Sequence, residues 1–286
     1  MENRIYGKER IGPTACITAC YRTFSDIPYS KEIFDILEKL RIINNEPDIP
    51  EELKRYERSP LIEARYKMDS LLISESKINQ ILELASGLSP RGLDITSNKN
   101  IKYVEIDLPI ILETKKEIIN TITKKIVNNN LFLESGDVLK ENDLLKACEH
   151  FNEKEPLVII NEGLLAYLTL EDKKTLSKNI HKILSIFRGV WITPDIILPD
   201  SRGMKNSKIT YTQDLEKLTG STINKNRFEN EKEAQIFFEN MGFEVERRYF
   251  KEVYNNLVSP KKLNIAQEDV DKLIGLSVVF VMRVKN

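Results

Sequence analysis

Short apolar runs alternate with amphipathic stretches along most of the chain. INQILELAS (78–86), IKYVEID (101–107), LFLESGD (131–137), PLVIINEG (156–163) and GVWITPD (189–195) are each apolar and run into polar or acidic residues. That is the pattern of strands buried on both faces. Helical spacing fills the intervals. In TLEDKKTLSKNIHKILSIF, Leu176, Ile180, Ile183, Leu184 and Phe187 form one stripe, and Thr169 with Asp172 makes a capping box. Ile118, Ile119, Ile122 and Ile126 form a similar stripe after the second run. Parallel neighbours need crossover helices, so this alternation predicts an α/β fold with helices on both sheet faces.

The two ends of the chain read differently. ENEKEAQIFFENMGFEVERRYF predicts a helix stopped by Gly242 and then a strand, and LIGLSVVFVMRV (273–284) is a last apolar strand. The link between them predicts an antiparallel pair at one sheet edge and brings the total to seven strands. Ile33, Ile36, Leu37 and Leu40 predict a helix with no strong strand before it. The expected organisation is a helical N-terminal cap over 1–75 and one sheet-bearing unit over 76–286. Polar residues 200–228 are expected to be an irregular loop or lid.

Composition narrows the classes. The 286 residues are 41% hydrophobic and 30% charged, enough for one large core. A formal net charge of -1 gives no overall attraction to nucleic acid or an anionic membrane. No apolar run approaches the roughly 20 residues of a membrane helix, and MENRIYGKER lacks the apolar middle of a signal peptide. A cytoplasmic protein is expected. Cys16, Cys20 and Cys148 read as reduced, buried thiols, and neither His150 nor His181 has metal-ligand spacing, so no metal site is expected.

The chemistry concentrates in ILELASGLSPRGLDI (81–95). Ser89 and Pro90 suit a helix N-cap and first helical position, so the chain leaves the first strand near Ser86, turns at Gly87 and enters a helix. In open α/β sheets ligands lie beyond the carboxyl ends of the strands, where this turn falls. A dinucleotide fingerprint needs three glycines, but this stretch offers Ala85, Gly87 and Pro90; no phosphate-loop motif occurs either. An acid for a sugar remains: Asp107 ends the second strand. Adenosine without phosphate fits, and Glu83, Asp137 and Glu162 near other strand ends suit the positive charges of S-adenosylmethionine.

ILELASGLSPRGL, YVEIDLPIILETKKEII, ESGDVL and IINEGLLAYLTLEDKKTL, in that order, resemble the leucine carboxyl methyltransferase-like family of class I S-adenosylmethionine-dependent methyltransferases, including its bacterial O-methyltransferase members. The resemblance spans about Ser59 to Asp195. It implies a Rossmann-like seven-stranded sheet, mostly parallel with an antiparallel last strand. It further implies that Arg65 pairs with the methionine carboxylate, Gly87 lines methionine and ribose, Asp107 holds the ribose hydroxyls, Asp137 and Val138 flank adenine, and Glu162 lies near the methionine end. Glu83, Ala85 and Leu108 complete the expected cofactor set. After Asp195 no substrate motif matches.

Each residue also has a plainer reading. Glu83 serves equally well as an anchor for turn amides, and Asp107, before Pro109, as a helix cap. Arg65 alone reads as an ordinary ion-pair partner. Arg22 in the cap and Arg202 in the polar loop are candidates to attract an anionic acceptor, with surface solvation preferred for Arg202. Tyr167 is a further acceptor candidate, with helix packing preferred.

The expected activity is O-methylation of a carboxylate or hydroxyl on a small molecule or peptide. A carboxylate acceptor loses no proton, whereas a hydroxyl requires a base from His150, His181 or a carboxylate. No catalytic base stands out. Two other classes stay open: a module that binds S-adenosylmethionine without catalysis, and a nucleotide-dependent oxidoreductase.

Overall fold

The computed structural model describes residues 13–45, 48–126, 128–196, 208–220, 222–275 and 277–285. Helices α1 (Pro13–Arg22), α2 (Ser30–Ile43) and α3 (Ser59–Ser76) precede the first strand. Then come β1 (Gln80–Leu84), α4 (Arg91–Ile95), β2 (Lys102–Asp107), α5 (Pro109–Ile122), β3 (Leu131–Ser135), α6 (Glu141–Cys148), β4 (Leu157–Asn161), α7 (Leu170–Phe187) and β5 (Gly189–Thr193). The last part carries α8 (Lys208–Thr219), α9 (Ile223–Asn226), α10 (Glu231–Asn240), β6 (Phe243–Tyr249), α11 (Ser259–Lys262), α12 (Gln267–Ile274) and β7 (Val278–Val284).

The seven strands form one sheet in the order β3-β2-β1-β4-β5-β7-β6. The pairs among β1 to β5 are parallel, and β7 runs antiparallel to both β5 and β6. Strand order reverses between β1 and β4, as expected of a fold that binds ligands at its carboxyl edge.

Period-two alternation divides each strand between two cores. Leu82, Leu84, Leu157, Ile159 and Trp191 face α6, α7 and α10. Their neighbours Ile81, Val158, Ile160, Val190 and Ile192 face α3 and α12. Two buried faces explain why these runs read as uninterrupted apolar sequence rather than alternating. A third cluster joins α1 and α2 to Leu53, Ile62, Leu88 and Ile118. It therefore seats the first two helices on α5 and on the turn after β1.

Three details differ from expectation. Helix α5 stops at Ile122, and Ile126 is 75% exposed rather than the end of a buried stripe. Leu273 and Ile274 belong to α12, so the last strand starts at Val278. Residues 208–219 and 223–226, expected to be irregular, are helical, because Leu215 and Leu218 at i,i+3 spacing find an apolar partner in the α1–α2 cluster. Cys16, Cys20 and Cys148 are buried free thiols as expected, with burial raising Cys20 to about 11 and Cys148 to about 12. Among the described residues no helix is long and apolar enough to cross a membrane.

Candidate functional site

At the carboxyl edge of β1 the chain turns through two left-handed residues, Ala85 (φ 51°) and Gly87 (φ 54°). The Ala85 amide still donates to the Ile106 carbonyl (2.8 Å), but the next contact is made by a side chain: the Gly87 amide donates to Asp107 Oδ2 at 2.6 Å. Asp107 Oδ1 accepts from the Leu108 amide at 2.7 Å. A Cβ on Gly87 would lie 4.0 Å from the Ala15 Cβ, ordinary contact, so backbone conformation rather than crowding calls for glycine there. Helix α1 thus lies directly over the turn.

Ser89 Oγ accepts the Arg91 amide at 3.3 Å, which starts α4 one residue later than the Ser-Pro pair suggests. Gly92 is required by space, since a Cβ there would stand 2.3 Å from Glu105 Oε1. Lys115, from α5, pairs with Glu105 and donates to Ser86 Oγ at 3.3 Å. Burial raises Glu105 to about 7 against the pull of Lys115.

The rim continues to β3. The Gly136 amide donates to the Asp107 carbonyl (2.9 Å), the Asp137 amide to Asp143 Oδ2 (2.8 Å), and Asp137 Oδ1 accepts the Leu139 amide (3.0 Å). Val138 is buried beneath, and Leu108 is 42% exposed. Burial holds the Asp107 carboxyl above its ordinary range, and its two amide donors only partly offset this. A carboxylate offers about four lone-pair sites. Two remain after those amides.

A different arrangement occupies the ends of β4 and β5. Glu162 Oε1 lies 3.1 Å from Arg22 Nη2 and 4.0 Å from Arg65 Nε, and its Oε2 lies 2.9 Å from Arg91 Nη2. Arg65 Nη2 donates to Asp195 Oδ1 at 2.5 Å. Arg91 is wholly buried: it donates to the Tyr66 carbonyl and Ser70 Oγ (both 2.8 Å), stands 4.1 Å over the Tyr66 ring, and reaches Asp69 at 3.4 Å and Glu83 at 3.7 Å. Burial pushes Glu162 up, but Arg22, Arg65 and Arg91 outweigh it and hold the carboxyl below its ordinary value. Burial also drives the Asp69 carboxyl well upward despite Arg91. Arg22 Nε and Arg65 Nε are buried without a hydrogen-bond partner.

Arg22, Arg65 and Glu162 therefore meet, and Ala85, Gly87, Asp107, Leu108, Asp137 and Val138 line the adjoining rim. Glu83 does not reach the turn amides; it accepts the Tyr103 hydroxyl at 2.9 Å. Asp107 does not cap α5, whose N-cap is Leu108. Tyr167 ends the short 3₁₀ turn Leu165–Tyr167, half-buried near Arg65. Arg202 lies outside the described residues.

Arg91, Asp195 and Asn161 were not singled out by the sequence, although each had a signal: an arginine directly after the Ser-Pro pair, and polar residues closing β4 and β5. Asn161 accepts Trp191 Nε1 (2.7 Å) and donates to Thr193 Oγ1 (2.9 Å) and Asp195 Oδ2 (2.8 Å).

The contacts of both histidines lie outside the Arg22–Arg65–Glu162 cluster. The His150 carbonyl accepts from Lys102 at the start of β2, and its ring stacks on Phe132 and bonds Glu134. His181 packs edge-on against Phe243 at the start of β6, under Gly242.

A family model described as leucine carboxyl methyltransferase matches residues 31–181. Among solved structures, a DUF574 family protein from Streptomyces avermitilis superposes with a TM-score of 0.59 at 15% identity, covering 97% of this chain and 100% of that one. A provisionally assigned methyltransferase from Thermobifida fusca gives 0.55 at 16% identity, covering 94% and 95%. At such identities these likenesses establish the shared fold. No curated protein sequence matches the chain.

Proposed function

The chain belongs to the leucine carboxyl methyltransferase family and takes S-adenosylmethionine as its methyl donor; on that premise we propose that it methylates a carboxylate oxygen of a small molecule or peptide. The observation that carries this reading is the joint placement of the Gly87–Asp107 turn and the Arg22–Arg65–Glu162 cluster on one sheet edge.

The residues fit the donor. Asp107 retains two acceptor sites for ribose hydroxyls beside a left-handed turn, and Asp137 with Val138 lines the next strand end for adenine. The buried Nε groups of Arg22 and Arg65, which make no hydrogen bond, suit an anionic group, which the donor carries as its methionine carboxylate. Glu162, held ionised by three guanidinium groups, provides negative charge for the ammonium end.

The donor supplies an electrophilic methyl carbon on a positive sulfur. This chain's part is alignment and exclusion of water, and α1 over the turn serves both. In favourable intramolecular systems alignment alone contributes about 7–11 kcal/mol. An ionised carboxylate acceptor is already a nucleophile and needs no base, whereas a hydroxyl acceptor would need one of this edge's carboxylates to take its proton.

The test is calorimetric titration of the protein with S-adenosylhomocysteine, followed by incubation with labelled S-adenosylmethionine and a panel of carboxylic acids, phenols and peptides with free C-termini. Base-labile methyl ester formation is expected. Transfer confined to phenols would sink the carboxylate reading. In the titration, Asp107→Ala should weaken binding by about 1 kcal/mol or more, roughly fivefold.

A further inference from the structure

We propose that Asp195 is a positioning residue that sets Arg65 and the Glu162 turn toward the amino-acid end of the methyl donor, a role that rests on the reading of this edge as the donor site. Its side chain is 1% exposed and gathers donors from three parts of the fold. The amides of Gly163 (2.7 Å), Leu164 (2.7 Å) and Leu165 (3.1 Å) converge on it. Asn161 Nδ2 and Arg65 Nη2 complete the set at 2.8 and 2.5 Å.

Three consecutive amides on one carboxylate fix the turn that follows Glu162, including Gly163 at φ 86°. The same carboxylate draws the Arg65 guanidinium away from full pairing with Glu162, which it approaches only to 4.0 Å through Nε. That Nε is left buried without a hydrogen-bond partner, a donor an incoming anion can use. Asp195 is in turn held from behind by the Trp191–Asn161 hydrogen bond and by Thr193 Oγ1, which accepts the Asp195 amide at 3.3 Å. The residue lies beyond the matched stretch 31–181 and acts through Arg65 and Glu162 rather than touching the donor.

The experiment compares two probes by calorimetry on the full chain: S-adenosylhomocysteine, and 5′-methylthioadenosine, which lacks the amino-acid portion. Asp195→Asn should lower S-adenosylhomocysteine affinity at least about tenfold and leave 5′-methylthioadenosine within about twofold. The double variant Arg65→Met/Asp195→Asn should lose less than the sum of the two single variants, because part of the Asp195 effect runs through Arg65. Equal losses for both probes, or additive losses in the double variant, would overturn the proposal, because a merely structural residue weakens the whole site. Should Asp195→Asn fail to fold, Trp191→Phe removes the outermost donor and should give the same one-sided loss, about threefold; a two-sided loss again overturns it. Wild-type protein that binds neither probe refutes the donor site itself, and that result is visible before any substitution is made.

Discussion

The two halves of the sheet's carboxyl edge hold their acids by opposite means. At β2, Asp107 is served by two neutral amides, and burial keeps its carboxyl above the ordinary value. At β4, Glu162 is as deeply enclosed, yet three guanidinium groups bring it below the ordinary value. At Asp107 two amide hydrogen bonds do not offset burial, whereas at Glu162 three guanidinium groups do. The difference also separates two tasks: a carboxylate with spare acceptor sites suits uncharged hydroxyls, and a charge-balanced cluster suits a zwitterion.

The largest effect is expected where charge is most enclosed. Glu162→Gln leaves Arg22 and Arg91 buried with less compensation and should cost about 3–5 kcal/mol in urea denaturation. Asp107→Asn retains an acceptor for one of two amides and should cost about 1 kcal/mol. Equal costs would erase the distinction between the two halves.

A pH series sharpens it. Glu162 has a lowered folded pKa, so its contribution is present above the unfolded value and is lost as pH falls through the folded one. Asp107 has a raised folded pKa, so its contribution is present below the unfolded value and is lost as pH rises through the folded one. From pH 6 toward pH 3, the stability gap between wild type and Glu162→Gln should narrow while that between wild type and Asp107→Asn moves in wild type's favour. Parallel trends would contradict the assigned electrostatics.

The smallest and most local shift concerns Lys173. Burial lowers it to about 8, although Asp195 and Asp172 favour its charged form, and its ammonium donates to the Leu168 and Asn226 carbonyls. Between pH 8 and the unfolded value of 10.5 the unfolded chain holds more protons, so the native state gains stability with rising pH. Lys173→Met should flatten that rise in thermal denaturation without moving the acid-side trends.

What the sequence determined by itself is the layered sheet, the turn at Gly87 and the acid at Asp107, because apolar periodicity and turn chemistry act between near neighbours in the chain. Strand order was open to that reading only through the general rules of parallel sheets. Arg65 and Glu162 were named through the family resemblance and Arg22 as an anion candidate, but their meeting with Arg91 and Asp195 was not legible, because these residues come from α1, α3, α4 and the exits of β4 and β5, and nothing local distinguishes an arginine destined for burial from one left in water. Only tertiary packing brought them within hydrogen-bonding distance. The reason is physical: hydrophobic pattern is a local property of a segment, whereas the stability of a buried charge depends on which distant counter-charges the fold delivers to it.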